Sequence, residues 1–353
     1  MMDTRDDNAV PVDSITAAAL AAHGPVLLVG AADTGKSTLA RHIVKTAQNE
    51  GHPVGLIDGD IGQSEIGPPG MMELAIPGET GGRDWQVRGQ WFVGTTTPYS
   101  APMSCVVGIR RLADRARELD LHPLIIDTTS FVNTVAGHAL KTAKVDALCP
   151  GLVIAIQRKD EMERWLGGVG RPFVRAEPDR RAHIKPASLR ALRRGSKLAA
   201  YFQNAAEHVA PLLEWSLRGT RLGFGQPLVP GEYAGAGRTL NCRVVHAERA
   251  GGSVALWVLG APSGDLNRVA TDLRAERVVT INAGMWTGRS VGLIGADGFC
   301  LAQGVVERVN WTTVAAHIRA PLWSLAEVVS LRFGTLRHKM DGTGLPSVAS
   351  FDE

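Results

Sequence analysis

The chain has 353 residues, of which 44% are hydrophobic and 21% are charged, and its formal net charge is +3. This length suggests two domains, or one with a large extension, and the composition is that of a globular protein with ample apolar residues to bury a core. The small net charge excludes a nucleic-acid-binding signature spread over the whole chain, so any such signal must be local.

The four cysteines lie far apart and form no C-x-x-C motif, which disfavours both a disulfide framework and a zinc site. The N-terminus carries acidic residues where a signal peptide needs basic ones. No apolar run approaches the ~20 residues of a membrane span. We therefore predict a cytoplasmic protein with no membrane partner.

Along the chain, residues 1–23 predict a polar tail with a short alanine-rich helix. From residue 25 to about 160, short aliphatic runs alternate with amphipathic helical segments, which is typical of a parallel sheet covered on both faces. Residues 161–203 predict a mostly helical, strongly charged segment. After about residue 220, short β-type runs with Gly and Asp-Gly turns predict a second, β-rich domain.

The segment from Gly30 to Ser37 matches the phosphate-loop motif G-x-x-x-x-G-K-[ST], between a predicted strand and a predicted helix. The fold class is therefore α/β: a P-loop NTPase with a parallel sheet flanked by helices, plus a C-terminal β-rich domain. We expect Lys36 to neutralise the β- and γ-phosphates, Ser37 to ligate Mg²⁺ and Thr38 to donate to a phosphate. The residues predicted to bind the nucleotide are Gly30, Asp33, Thr34, Gly35, Lys36, Ser37 and Thr38.

Two carboxylates follow the second predicted strand, in the pattern D-x-D-x-G-Q that starts at Asp58 and contains Asp60 and Gln63. Residues just past a strand lie at the carboxyl edge of the sheet, where ligands bind in this fold class. We expect Asp58 to hold the metal and Asp60 to accept the proton of an attacking hydroxyl. A pair of turn-forming aspartates is the structural alternative, because Asp-Gly is a turn signal.

A third predicted strand ends at Asp127, the usual Walker B position. Its carboxylate is expected to contact Mg²⁺ directly, or through a water shared with Ser37. A cap for the helix that follows is an equally open interpretation.

These motifs resemble the polynucleotide 5′-hydroxyl kinases related to the eukaryotic pre-mRNA cleavage-factor kinase subunit and the nucleolar rRNA-processing kinase. The segment 92-FVGTTTPYS-100 is similar to the family's clasp, which grips the lysine-bearing loop and the substrate. The segment 125–156 is similar to its strand, helix and next strand, and 190-RALRRGSKLAAYF-202 resembles its lid. The resemblance covers residues 24–203 in order and continues more weakly through the C-terminal β domain.

The resemblance implies a kinase domain at residues 24–204, with a lid at about 171–200, and a β-rich domain at 205–353. The family's Asn-Thr-x-Gly-Trp motif is altered here, because the glycine is missing and Phe131 stands where a tryptophan is usual. The family stacks that aromatic ring on a substrate base, and a phenylalanine can still stack. The implied substrate-binding residues are Gln63, Thr96, Thr97, Phe131 and Arg193.

Nine basic and two acidic residues lie between positions 171 and 197, a local charge of +7. On a helix, Arg190 and Arg194 share one face, from which they can close over a phosphoryl group in transfer. The other basic residues, Arg193 among them, are expected to hold a nucleic-acid backbone. A solvated helix face is the alternative interpretation of this charge run.

The function implied by the resemblance is transfer of the γ-phosphate of ATP or GTP to the 5′-hydroxyl of single-stranded or end-accessible RNA or DNA. The implied catalytic residues are Lys36, Asp60, Arg190 and Arg194, and the implied metal ligands are Ser37, Asp58 and Asp127. An inert ATP-binding scaffold of an RNA-processing assembly and a small-molecule kinase are alternatives. A GTPase is a third, but 157-QRKD-160 lacks the Asn and Lys of the base-reading N-K-x-D motif.

Overall fold

The structure is a computed structural model that describes residues 10–79, 84–178 and 183–348. The chain divides into two compact units, of which the first ends at Arg194 and the second begins at Gly195. The division falls within a helix, Ala187–Tyr201. The domain boundary expected after residue 204 stays a prediction.

Four parallel strands form the centre of the sheet in unit 1. They are β1 (Val26–Gly30), β2 (Gly55–Gly59), β5 (Leu124–Thr128) and β6 (Leu152–Ile156), and every residue in them is buried. Each strand is a nearly continuous aliphatic run, as expected for a strand covered on both faces. The prediction of an α/β fold with a parallel sheet is confirmed.

The edges of this sheet differ from the prediction. On one side, β3 (Met71–Pro77) pairs antiparallel with β2, and β4 (Trp85–Phe92) pairs antiparallel with β3. On the other side, β7 (Phe173–Ala176) pairs parallel with β6. The strand order is β4-β3-β2-β5-β1-β6-β7. The expectation that residues 161–203 are mostly helical is therefore wrong in part, because this segment contains β7 between two helices.

Helices flank the sheet of unit 1. They are α1 (Val12–Leu20), α2 (Lys36–Asn49), α3 (Pro102–Glu118), α4 (Val135–Leu148) and α5 (Glu163–Leu166), and a sixth helix, α6 (Ala187–Tyr201), spans the division between the units. The alanine-rich helix α1 buries Ile15 and Ala19 in the same core as Ile43 and Val44 of α2. Burying an aliphatic side chain of this size stabilises a fold by about 1.5–3 kcal/mol. The helices α3 and α4 pack against each other.

Unit 2 is rich in β-structure, as predicted. Its larger sheet has seven strands: β8 (Ala206–Pro211), β9 (Ser216–Arg218), β14 (Arg289–Gly295), β15 (Cys300–Asn310), β16 (Ala315–Ala320), β17 (Val328–His338) and β18 (Gly344–Leu345). The smaller sheet and its two helices comprise β10 (Gln226–Pro227), α7 (Pro230–Thr239), β11 (Arg243–Ala250), β12 (Ser253–Leu259), α8 (Leu266–Asp272) and β13 (Arg277–Asn282). In the part of the chain that the structure describes, no helix has the length and apolarity needed to cross a bilayer.

Candidate active site

The phosphate loop connects the end of β1 to the start of α2. Gly30 closes the strand where the neighbouring strand is so near that a Cβ would lie 2.4 Å from the carbonyl oxygen of Ile156. Gly35 has a φ of +93°, a left-handed conformation that glycine adopts without strain. Lys36 is buried, and its Nζ donates to the carbonyl of Ala31 at 2.8 Å. The lysine is thus folded over the loop that is expected to bind the phosphates of the nucleotide, whose charge Lys36 is expected to neutralise.

The other predicted nucleotide-binding residues lie in the same turn. Thr34 is buried, and its Oγ1 donates to the carbonyl of Ala31 at 3.0 Å. Asp33 has a φ of 55°, and Thr38 is exposed in the first turn of α2. The first N–H groups of a helix have no partner within the helix, and its dipole favours an anion there. This end of α2 is therefore suited to a phosphate.

Ser37 and Asp127 meet at the mouth of the loop. The hydroxyl of Ser37 donates to Asp127 Oδ2 at 2.5 Å, and Asp127 lies on β5 in register with Leu28 of β1. Asp127 is 4% exposed, and its Oδ1 is buried with no hydrogen-bond partner among the described residues. Burial raises the pKa of Asp127 to about 7, against the attraction of Lys36 and with the repulsion of Asp58.

These observations fit a magnesium site. A buried carboxylate oxygen without a donor costs free energy unless a cation or a proton satisfies it. Mg²⁺ is commonly held by one or two carboxylates together with the phosphates of its substrate. Within the described ranges, no cluster of three or more His, Cys, Asp or Glu side chains is arranged to hold a metal. Ser37 and Asp127 are the side chains that could hold Mg²⁺ here together with the phosphates of the nucleotide. The helix-cap interpretation of Asp127 is wrong, because Thr134 caps α4 by accepting from the N–H of Gly137.

Asp58 shapes the loop that follows β2. Its Oδ2 accepts from the hydroxyl of Ser64 at 2.9 Å and from the N–H groups of Glu65 and Ile66 at 2.6 and 3.0 Å. Its Oδ1 accepts from the N–H of Asp60 at 3.2 Å. Burial raises the pKa of Asp58, while these backbone donors oppose the rise. The turn-forming interpretation accounts for all four contacts, and the role of Asp58 as a metal ligand stays a prediction.

Asp60 lies at the turn after β2 and is half-buried. Its Oδ1 accepts from the N–H groups of Gly62 and Gln63 at 3.0 and 3.1 Å, which fixes the carboxylate in an Asx turn. No donor in the described part of the chain reaches its Oδ2. That oxygen is therefore available to a hydroxyl proton. The side chain of Gln63 is turned onto its own loop, since its Nε2 donates to the carbonyl of Gly62 at 2.7 Å.

The segment similar to the clasp touches this turn. A Cβ on Gly62 would lie 2.8 Å from the carbonyl oxygen of Thr96, so the two loops are in contact through their backbones. Thr96 is half-buried and Thr97 is exposed. The N–H of Gly94 donates to the carbonyl of Gly70 at 2.9 Å and holds the start of the clasp. The substrate contacts of Thr96 and Thr97 stay predictions.

The β5–α4 loop, residues 129–134, carries the aromatic residue expected to stack on a base. Phe131 in this loop is half-buried. Beneath the loop, Lys141 of α4 is 1% exposed, and its Nζ donates to Thr128 Oγ1 at 2.7 Å and to the carbonyl of Thr129 at 2.6 Å. Burial and then the charge of Lys144 lower the pKa of Lys141, while Asp60 and Asp127 raise it.

Sequence reasoning missed both buried lysines of α4, although the pattern contained a signal. The buried positions of this helix are Gly137, Leu140, Lys141, Lys144, Val145 and Leu148. This spacing is the i, i+3, i+4 stripe of an amphipathic helix, and two lysines occupy it. A lysine inside an apolar stripe indicates a partner behind the helix, and among the described residues Lys141 has such hydrogen-bond partners whereas Lys144 has none.

The lid contacts the phosphate loop through Asp33, which sequence reasoning did not anticipate. The N–H of Lys185 donates to Asp33 Oδ2 at 2.9 Å, and Arg190 Nη2 lies 3.6 Å from the same oxygen. Arg190 also donates to the carbonyl of Lys185, at 3.2 and 2.8 Å. Arg194 is half-buried, and burial together with the neighbouring Arg190 lowers its pKa. Arg193 is exposed.

Three charged residues of the predicted lid lie outside the described residues, namely Asp179, Arg180 and Arg181. Arg158, which follows β6, donates to the carbonyls of Ala32 and Asp33 at 3.3 and 2.8 Å. It therefore supports the phosphate loop from the position where a GTPase would read a base. The amide of Gln157 donates to Glu163.

Comparison with known proteins agrees with this geometry. Residues 30–204 match the family model described as mRNA cleavage and polyadenylation factor CLP1 P-loop. The chain is 28% identical over 350 residues to the polyribonucleotide 5′-hydroxyl-kinase of Pyrococcus abyssi, covering 96% of this chain and 95% of that one. It is 24% identical over 331 residues to the polyribonucleotide 5′-hydroxyl-kinase of Methanocaldococcus jannaschii, covering 91% and 88%.

A chain in the solved structure of the wild-type Clp1p–Pcf11p complex has the same fold. It is 10% identical, with a TM-score of 0.59, and the match covers 92% of this chain and 78% of that chain. The family match spans the phosphate loop, both carboxylate strands and the lid, and the archaeal relatives match over nearly their whole length. The resemblance inferred from the motifs is confirmed, because residues 30–204 match the model of the CLP1 P-loop family.

Proposed function

We propose that the protein is a polynucleotide 5′-hydroxyl kinase that transfers the γ-phosphate of ATP to the 5′ end of RNA. The observation that carries this proposal is the meeting of Lys36, the Ser37–Asp127 pair and Asp60 at one edge of the sheet. The archaeal relatives that match over most of their length are named polyribonucleotide 5′-hydroxyl-kinases, which supports RNA as the acceptor.

In the proposed reaction, the 5′-oxygen of the polynucleotide bonds to the γ-phosphorus as the bond from that phosphorus to the bridging oxygen breaks, and ADP leaves. Asp60 Oδ2 takes the hydroxyl proton, while the Asx turn at its Oδ1 keeps the carboxylate in place. Lys36, Arg190 and Arg194 stabilise the charge that develops on the phosphoryl oxygens. Asp58 holds the loop that carries Asp60.

Mg²⁺, when bound, would neutralise charge on the β- and γ-phosphate oxygens. Ser37 Oγ and Asp127 would hold it, since the buried Asp127 Oδ1 has no other partner in the described part of the chain. Binding of the metal requires Asp127 to be ionised, and burial holds its pKa at about 7. Metal binding is therefore expected to release a proton below that pH.

Two changes must accompany binding of the nucleotide. Lys36 must leave the carbonyl of Ala31 to reach a phosphate, and Arg190 must exchange Asp33 for a phosphoryl oxygen. Both partners lie within the phosphate loop itself, so short side-chain movements are sufficient. The acceptor enters beside Phe131 and the clasp, whose backbone touches the Asp60 turn at Gly62.

The experiment is transfer of label from γ-labelled ATP to 5′-hydroxyl RNA and DNA oligonucleotides in the presence of Mg²⁺. We expect labelled RNA with the wild-type protein, and a loss of about 10²–10⁴-fold in the Asp60→Asn variant because its base is gone. The Lys36→Ala variant should lose phosphoryl transfer as well, because it lacks the positive side chain that stabilises the charge on the phosphates. Labelled DNA at the same rate would widen the acceptor class. Bound ATP without any labelled polynucleotide would favour an inert scaffold or a small-molecule acceptor.

A further inference from the structure

Lys141 makes two strong hydrogen bonds in a place where a lysine is costly. Its side chain is 1% exposed, and an ammonium group without partners is rarely tolerated at that depth. Its Nζ donates to Thr128 Oγ1 at 2.7 Å and to the carbonyl of Thr129 at 2.6 Å. Both partners follow Asp127 directly, at the point where β5 ends and the β5–α4 loop begins.

The two partners depend on Lys141 to different degrees. Thr128 is anchored independently, because its own hydroxyl donates to the carbonyl of Leu28 in β1 at 2.7 Å. Thr129 is the first residue of the β5–α4 loop, and Lys141 holds its carbonyl. Loss of the lysine is therefore expected to release the loop while the strand, with Asp127 on it, stays in place.

A second contact fixes the same loop one helical turn earlier. The carbonyl oxygen of Phe131 lies so near Gly137 that a Cβ there would be only 2.7 Å away. Gly137 and Lys141 are four residues apart, so both lie on one face of α4. The backbone of the loop that carries Phe131 is thus held at Thr129 and lies against α4 at Phe131.

We infer that Lys141 is a positioning residue that fixes the β5–α4 loop and so orients the 5′-hydroxyl end of the polynucleotide. The inference rests on the proposed function, and it concerns the acceptor rather than the nucleotide. Nucleotide binding depends on other residues, namely Lys36 and the Ser37–Asp127 pair. The loss of Lys141 should therefore weaken use of RNA and leave the affinity for ATP unchanged.

Lys144 supplies a matched control. It lies on the same helix three residues later and is 0% exposed, yet its Nζ has no hydrogen-bond partner among the described residues. The change Lys144→Met removes the same chemical group at a similar depth, where it makes no hydrogen bond to the loop. Gly137→Ala is the independent second variant. Its new methyl group would push the carbonyl of Phe131, and with it the β5–α4 loop, away from α4 without altering a charge.

The experiment compares wild-type, Lys141→Met, Gly137→Ala and Lys144→Met proteins by three measurements. Hydrogen exchange of peptides covering residues 129–134 reports whether the loop is held. Binding of a fluorescent 5′-hydroxyl RNA and its kcat/KM at saturating ATP report acceptor positioning, and titration with ATP reports the nucleotide site.

For Lys141→Met and Gly137→Ala, we expect faster exchange in the loop, native ATP affinity and a fall of about tenfold or more in kcat/KM for RNA. Displacing a reactant by about 1 Å can cost up to 10²-fold. Lys144→Met should match the wild type in all three measurements. Should Lys141→Met fail to fold, Gly137→Ala carries the same test.

The inference would be overturned if a folded Lys141→Met protein bound RNA, and used it with a kcat/KM, as the wild type does. A loss of ATP affinity as large as the loss of kcat/KM for RNA would overturn it as well. A wild-type protein that labels no polynucleotide would instead overturn the proposed function. In that case RNA binding and hydrogen exchange of the β5–α4 loop still test the role of Lys141. Equal RNA binding by the wild type and Lys141→Met would reject the inference.

Discussion

Replacing Asp127 by asparagine should stabilise the protein in the absence of metal while removing the proposed Mg²⁺ ligand. Burial raises the pKa of this carboxyl from its ordinary value of 3.8 to about 7, so the folded protein holds a proton that the unfolded chain has lost. Stability therefore falls as the pH rises from about 4 to about 7, and the penalty is complete above that range. At about 1.4 kcal/mol per pKa unit, the full penalty is about 4 kcal/mol.

An asparagine cannot ionise, so the variant escapes this penalty. The value of about 4 kcal/mol is an upper limit, since the buried amide of the variant also needs a hydrogen-bond partner. The gain should grow by about 2–3 kcal/mol between pH 5 and pH 8, because at pH 5 most of the wild-type Asp127 is still protonated in the folded state. For a unit of this size, about 1 kcal/mol corresponds to roughly 2–4 °C in Tm.

The assay is thermal unfolding followed by circular dichroism in EDTA, at pH 5 and at pH 8. Asp127→Asn should unfold several degrees above the wild type at pH 8 and show a smaller difference at pH 5. Asp146→Asn is the matched control, because Asp146 is exposed on α4. A variant of Asp127 that is no more stable than the wild type, or whose gain is equal at both pH values, would refute the assignment of a destabilising buried charge.

Three further predictions concern the surrounding contacts. Asp58→Ala should lower both the Tm and the rate of phosphoryl transfer, because three donors in the loop that carries Asp60 lose their shared acceptor. Each donor left without a partner costs about 1 kcal/mol or more of stability. An unchanged Tm and an unchanged rate would contradict this role of Asp58. Lys144→Met should raise the Tm by a few degrees, since an unpaired buried amine is replaced by a thioether; a lower Tm would indicate a partner for the amine. Asp33→Asn should speed cleavage of the lid by trypsin in the absence of nucleotide, because Lys185 and Arg190 lose their anion; equal cleavage would show that the contact does not hold the lid.

The centre of the fold was predictable because its strands are continuous aliphatic runs. In β1, β2, β5 and β6, local pattern and final burial agree, and the phosphate loop marks where the first of them ends. The antiparallel strands β3 and β4 were missed, since neither carries a continuous aliphatic run of that kind. The strand β7 has only four residues inside a charged segment, where its pairing with β6 outweighs the local helical signal.

In the site, the motif residues were predictable and their partners were not. The sequence order indicated that Ser37 and Asp127 meet, and they do so at 2.5 Å. The Asp-Gly turn signal indicated that Asp58 could bond to its own loop but not which N–H groups it would bind, and nothing in the local pattern indicated that Asp33 contacts the lid. These contacts join residues through turns and tertiary packing, which spacing along the chain does not record.

The most direct test of the central claim is transfer of the γ-phosphate to one RNA in two forms, with a 5′-hydroxyl and with a 5′-phosphate. We expect that only the 5′-hydroxyl form is labelled, and that labelling requires Mg²⁺. Labelling that ignores the state of the 5′ end, or release of free phosphate with no labelled RNA, would contradict it.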